Sequence, residues 1–344
     1  MSTDQSQIGV LLLQLGTPNS TSVSDVRKYL REFLSDPRVL DMPAPARALL
    51  LHAVILPFRP RKSAEAYKKI WTEEGSPLTI HTAALTGRVQ ELLGTGYRVV
   101  FGMRYQQPSI EAAVSELTSA DCAEIVVLPL FPQYASAAGG SATQRALEVI
   151  GSRSNVMDLR SLGAFYDNPG FIRSAAEVAR PLLADFAADH VLFSYHGLPQ
   201  KQVEKGDPSG EWCLASETCC DAITGVNRFC YRAQCFATTR GLVAELCLAD
   251  GQYSTTFQSR LAGQKWIEPY TDKRLAWLYD NGVRRLAVFT PSFTADCLET
   301  LEEIGIRLRD QWDGLGGDEM LLLPCVNSHE TWAQAVADMV SRHG

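Results

Sequence analysis

Four stretches of the chain are apolar almost without interruption: Ile8 to Leu15, Glu124 to Leu130, Val191 to Tyr195 and Arg285 to Thr290. Runs of this kind suit buried strands of a parallel sheet covered by helices on both faces. Weaker strand patterns lie at Tyr97 to Met103, Val156 to Leu159, Ser254 to Gln258 and Glu319 to Pro324. Between them fall helical patterns at 24–34, 65–71, 81–93, 108–117, 170–186, 298–311 and 329–340. Strand–helix alternation of this sort predicts an α/β protein. At 344 residues the chain is too long for one compact core. It reads as two doubly wound, Rossmann-like domains with a cleft between them.

Bulk properties remove several classes of function. A net charge of −7 argues against a nucleic-acid partner, because phosphate backbones call for a basic face. No apolar run reaches the 18 or so residues of a spanning helix. Met1 to Gln7 lacks the basic and apolar regions of a signal peptide, so a cytoplasmic location is expected. In that compartment the nine cysteines are expected as thiols or metal ligands rather than disulfides. Met42 to Pro60 is apolar between prolines and carries a basic edge of Arg59, Arg61 and Lys62. It suits either an interfacial lip over a greasy ligand or a buried helix of the first domain.

Chemistry concentrates in three places. The strand Val191 to Tyr195 stops at His196-Gly197, and Pro199 forbids its continuation. A polar side chain at the C-terminal end of a buried parallel strand is where open α/β sheets place their ligands. The strand Arg285 to Thr290 likewise opens onto a polar cluster, Pro291 to Glu303, in which Ser292 or Thr294 can cap a helix and Glu299 can face the same opening as His196. Together His196 and Glu299 form a candidate acid–base pair or a two-ligand metal site. Competing readings are a core histidine held by a carbonyl and a solvated Glu299, with Glu302 and Glu303 solvated as well. Third, five cysteines crowd into 23 residues: Cys213, Cys219, Cys220, Cys230 and Cys235. Their stretch looks like an insertion into the second domain, while Cys122, Cys247 and Cys325 sit in apolar contexts and read as core residues.

Several motifs taken together resemble the ferrochelatase family. They are Leu15-Gly16-Thr17-Pro18, Gly102-Met103-Arg104-Tyr105, Leu130-Phe131-Pro132-Gln133-Tyr134, His196-Gly197-Leu198-Pro199, Phe257-Gln258-Ser259-Arg260, Trp266 to Thr271, and Pro291-Ser292-Phe293 through Glu299-Thr300-Leu301. Each is weak alone, and their order and joint presence are specific. The resemblance implies a lyase of two Rossmann-like domains with parallel four-stranded sheets and the active cleft between them. The domains are expected over residues 1–160, with the lip at about 42–60 and rejoined by the C-terminal helix 326–344, and over 161–325, with the cysteine segment at about 209–235. The implied activity is insertion of Fe2+ into protoporphyrin IX to give protohaem, with Fe2+ as a substrate.

By the same resemblance His196 is the proton acceptor, and Glu299 the relay or metal-side carboxylate. Leu13, Arg104, Tyr105, Tyr134, Ser136 and Ser141 are the substrate-binding set. The family's Asp-His-x-Glu-Thr carries Cys297 in place of its histidine here. The first strand has Leu13 and Leu15 and no tyrosine, which favours protoporphyrin over coproporphyrin. The resemblance further implies a [2Fe–2S] cluster on Cys213, Cys220, Cys230 and Cys235. Cys219 is the alternative to Cys220, since neighbouring side chains diverge, and a four-thiolate zinc site is the rival reading. Peripheral membrane contact through the lip, at the inner face of the cytoplasmic membrane, and a monomeric state are also expected. Alternatives are a non-catalytic haem or porphyrin carrier and a chelatase for coproporphyrin or another tetrapyrrole.

Overall fold

The computed structural model describes residues 7–260 and 263–341. The chain divides into two compact units: one takes the described residues up to Phe131, Ala135–Ala164 and those from Ala333 on, and the other Pro132–Tyr134 and Phe165–Trp332.

In the first unit β1 (Ile8–Gly16), β2 (Tyr97–Tyr105), β3 (Glu124–Pro129) and β4 (Asp158–Ser161) form a sheet of order β2-β1-β3-β4 with every pair parallel. The apolar run of β1 has a direct cause: Val10, Leu11, Leu12 and Leu13 are fully buried, with helices packed on both faces of the sheet. On one face Leu11 and Leu13 meet Ile110, Val114 and Leu117 of the helix Ile110–Ser119 and Ala142, Ala146 and Ile150 of the helix Ser141–Gly151. Each large aliphatic side chain buried in this way contributes about 1.5–3 kcal/mol. At the end of β1, Gly16 adopts φ 115°, and any side chain there would run into the Tyr105 carbonyl.

The second unit repeats the plan. β5 (His190–His196), β6 (Tyr253–Gln258), β7 (Arg285–Phe289) and β8 (Glu319–Leu322) form an all-parallel sheet of order β6-β5-β7-β8. Leu192, Leu286 and Val288 pack against Leu275 and Leu278 of the helix Thr271–Asp280, with Ile304 and the fully buried Trp312. Trp312 satisfies its indole N–H on the carbonyls of Arg284 and Glu319, at 3.3 and 3.2 Å.

Three segments differ from the sequence expectation. The helix expected over 298–311 is broken into an α-turn at Leu298–Leu301, a π-helical stretch at Glu303–Leu308 and a second α-helix at Arg309–Leu315. Its N-cap is Cys297, not Ser292 or Thr294. The lip is helical from Ala44 to Ile70, with a π-helical stretch at Leu50–Ile55 just before Pro57, which has no N–H to give a regular helix. The helix expected from residue 81 begins at Pro77, whose fixed φ suits a first helical position.

Candidate functional site

Both sheets have an order that reverses at the first strand, so the loops leaving β1 and β3, and those leaving β5 and β7, depart in opposite directions. Such a switch point opens a crevice at the strand C-termini. In the second unit the two residues singled out from sequence lie there: His196 ends β5, and Glu299 follows β7.

His196 is held from four sides. Its backbone N–H donates to Ser292 Oγ at 3.1 Å, and its carbonyl accepts from the Tyr231 hydroxyl at 2.8 Å. Gly197 N–H donates to the Gln258 carbonyl at 2.8 Å. A Cβ on Gly197 would stand 2.6 Å from that same oxygen, so only glycine lets the two chains close up here. The imidazole Nδ1 lies 2.7 Å from the Gly197 carbonyl, which can only accept. Nδ1 therefore carries a proton, and in the neutral ring the Nε2 lone pair is left to take one. The edge of the ring meets Phe293, 6.4 Å between centroids.

Glu299 is carried on the four-residue helix Leu298–Leu301. Cys297 closes a capping box there: its side chain accepts from the Thr300 N–H, and Thr300 Oγ1 accepts from the Cys297 N–H at 3.0 Å. Asp296 anchors the loop on Asn327, with Oδ2 at 2.7 Å from Nδ2. Burial pushes the Glu299 carboxyl up from its ordinary range and nearby Glu303 pushes it further, while the Cys297 thiol and the His196 ring act in the opposite sense. The imidazole and the carboxylate are thus within electrostatic reach of each other. Gln258 ties the two supports together, since its carbonyl holds Gly197 and its Nε2 donates to the Glu299 carbonyl at 2.9 Å. Its Oε1 accepts from the buried Ser194 hydroxyl at 2.8 Å. Glu302 and Glu303 are not solvated residues of an open helix: Glu302 is buried, and Arg307 pairs with both, at 2.7 and 2.9 Å.

The predicted substrate-binding residues fall in both units. Arg104, Tyr105 and Ser141 gather around one carboxylate, Asp36, at the C-terminal cap of the helix Val23–Ser35. Arg104 Nη2 reaches it at 2.9 Å and the Tyr105 hydroxyl at 2.8 Å, and Ser141 also donates to it. Burial alone would raise the Asp36 carboxyl, yet these donors and the Arg38 N–H hold it below its ordinary range. Tyr105 and Ser141 are buried, and Arg104 keeps a fifth of its side chain exposed. Ser136 accepts from Arg38 Nη1 at 2.7 Å. Leu13 is fully buried in the first core. Tyr134 belongs to the second unit, with its N–H on Gln234 Oε1 at 2.6 Å and its ring against Phe229. Sequence reasoning missed Asp36, Arg38 and Tyr231, all tied through backbone or buried side-chain bonds that leave no local pattern. Gln258 was legible only as part of a motif.

The cysteine-rich segment gathers its thiols at the start of the helix Tyr231–Leu246. Cys230 lies within electrostatic reach of Cys213 and Cys220, and the fully buried Cys235 within reach of Cys220 and Cys230. The side chains of Cys219 and Cys220 do not diverge: their sulfurs are 3.7 Å apart. Arg232 Nη1 stands 3.1 Å from Cys220 Sγ. Sulfur donors with a cationic neighbour are a fitting set for a thiolate-bound centre. Among the described residues, no three His, Cys, Asp or Glu side chains already stand in metal-ligand geometry. Cys122 and Cys325 are buried, but Cys247 is exposed at a left-handed helix end, so it is not a core residue.

Two all-parallel four-stranded sheets, each reversing at its first strand, define a protein of doubly wound α/β units. The fold matches SirB from Bacillus subtilis with Fe3+ at a TM-score of 0.55 and 10% identity, over 97% of this chain and 94% of that one. A family model described as Ferrochelatase matches residues 7–344. Ferrochelatases of Coxiella burnetii (strain CbuK_Q154) and Legionella pneumophila (strain Lens) are each 46% identical to the chain. The first alignment covers 98% of this chain and 94% of the relative, the second 97% and 98%. The chain belongs to the ferrochelatase family. Its activity is that of haem synthesis: ferrous iron and a porphyrin are the substrates and haem is the product.

Proposed function

We propose that His196 and Glu299 form the reacting pair of a protoporphyrin ferrochelatase. The observation that carries this is their convergence at one switch point, with His196 Nδ1 committed to a carbonyl and Glu299 desolvated within reach of the ring. Metallation of a porphyrin releases two pyrrole protons. The lone pair of His196 Nε2 accepts them in turn, the first passing on to solvent before the second is taken, and Glu299 either relays them or meets the substrate iron. The absence of a tyrosine around Leu13 supports protoporphyrin over coproporphyrin. Arg104 and Ser136 act as anchors for the porphyrin carboxylates, with Tyr105 and Ser141 holding Arg104 from beneath through Asp36. Tyr134 completes the set as an aromatic contact, while the fully buried Leu13 contributes through the packing of the first core.

Two further features belong to this reading. Cys213, Cys220, Cys230 and Cys235, with Cys219 as alternative to Cys220, would hold a [2Fe–2S] cluster, which supplies one-electron redox chemistry when bound. The lip presents Leu49, Val54 and Phe58 to solvent at 70, 53 and 76% exposure, beside Arg59, Arg61 and Lys62. Apolar side chains with a basic rim suit peripheral contact with an anionic membrane. One anaerobic preparation tests the reading. Wild type is expected to insert Fe2+ into protoporphyrin faster than into coproporphyrin, and to contain iron and sulfide. His196→Ala is expected to lose about 10²–10⁴ in kcat. A carrier would turn over in neither form, and a zinc site would give colourless protein with zinc and no sulfide.

A further inference from the structure

The cysteine-rich segment and His196 are joined by a short continuous path of atoms. Asp207 Oδ2 accepts from the N–H groups of Trp212 and Cys213, each at 2.8 Å, which fixes the start of the segment. Asn227 Nδ2 donates to the carbonyls of Cys219 and Ala222, at 3.1 and 2.8 Å, which closes its middle. Cys213 and Cys220 lie within electrostatic reach of Cys230. Cys230 is the N-cap of the helix Tyr231–Leu246 and makes no capping bond with its side chain. Tyr231, the next residue, is 6% exposed and donates its hydroxyl to the His196 carbonyl at 2.8 Å. Cys235, one turn on, is fully buried. On the far side Arg232 spans the Glu268 carbonyl and Cys220 Sγ, each at 3.1 Å.

We propose that Tyr231 is a positioning residue through which the cysteine-rich segment sets the backbone carrying His196. The phenol oxygen of Tyr231 is buried and donates its proton to the His196 peptide carbonyl. Tyr231 stands between Cys230, to which it is bonded covalently, and Arg232, which holds Cys220 Sγ at 3.1 Å, so a change in how the thiols pack bears on both of its neighbours. The first turn of the helix then shifts against the His196 carbonyl, and the ring, tied to Gly197 by Nδ1, follows its own backbone. A ring buried only for packing would transmit nothing of this kind. The consequence for function rests on the reading of His196 as proton acceptor, because a misplacement of about 1 Å at a reacting group can cost 10²-fold in rate.

The test uses full-length, anaerobically purified protein with 13C-labelled histidine. Six histidines give six ring resonances, and His196→Ala assigns one of them. In an otherwise wild-type chain, Cys220→Ser and Cys213→Ser are each expected to move the His196 resonance and leave the others in place. In a Tyr231→Phe background the same substitutions are expected to leave it unmoved. Tyr231→Phe alone is expected to lower kcat about tenfold with the protoporphyrin KM within about twofold. Equal movement in both backgrounds overturns the proposal, and so does a stationary His196 resonance in the wild-type background, an arm that stands even if Tyr231→Phe does not fold. His196→Ala with undiminished iron insertion would instead overturn the reading of His196 while leaving the coupling intact.

Discussion

At the scale of single residues, the site depends on groups whose hydrogen bonds are spent on orientation. His196 gives up Nδ1 to the Gly197 carbonyl, and Arg104 gives up two of its nitrogens, to Asp36 and to Ser141 Oγ at 2.7 Å. Asp36 is the residue on which the first unit's polar cluster turns, since removing its charge leaves the half-buried Arg104 guanidinium without its counter-charge and gives Tyr105 and Ser141 a weaker, neutral acceptor. Breaking a buried pair from one side typically costs about 3–5 kcal/mol. With Arg104 partly exposed, Asp36→Asn is expected near the low end of that range in a denaturant titration. The same variant is expected to raise the protoporphyrin KM more than it lowers kcat, since the loosened Arg104 is an anchor and not a proton carrier. An unchanged KM would assign the cluster to folding alone. None of this was legible beforehand: Asp36 looks like a helix-ending residue before Pro37, and its partners lie 68, 69 and 105 positions away.

At the scale of elements, sequence patterns did best where burial decides and worst where hydrogen-bond register does. The core strands were readable because both of their faces are covered. β4 was placed two residues early, because the apolar Val156 is exposed and the strand runs Asp158–Ser161. Two helices were readable as helical but not in their π-helical stretches, which lie beside the candidate carboxylate and in the lip. Side-chain periodicity does not distinguish an i→i+4 from an i→i+5 bond over one turn, so the pattern carried no such information. In the lip the structure separates two faces: Leu51, Leu56 and Pro60 are buried, whereas Leu49, Val54 and Phe58 face outward. Leu49→Glu with Phe58→Glu is therefore expected to reduce co-sedimentation with anionic liposomes severalfold while leaving thermal stability close to wild type. Full retention on the liposomes would remove the membrane role.

At the scale of the whole chain, two units with the same sheet order have been put to different uses. The first offers a buried carboxylate that organises polar side chains, and the second places an imidazole and a carboxyl group, the proposed reacting pair, at its switch point. No described helix is long and apolar enough to cross a membrane. The cysteine segment is held to the rest of the second unit by Asp207 on the Cys213 N–H, by Arg240 on the Cys220 carbonyl and by Arg232 on the Glu268 carbonyl, so it is an integral part of that unit's packing and not a free appendage. The candidate pair was legible in the sequence as two strand ends with polar tips. Its supporting frame was not, since Gln258, Tyr231 and Ser292 act through backbone atoms of distant residues.

If His196 and Glu299 act as a unit, their effects cannot add. The decisive measurement is a double-mutant cycle on single-turnover Fe2+ insertion into protoporphyrin, with His196→Ala, Glu299→Gln and the double variant compared with wild type. The double variant is predicted to be no slower than the slower single variant within about threefold, with porphyrin binding retained in all four proteins. Losses that multiply, or a single variant that inserts iron at the wild-type rate, would contradict a shared site.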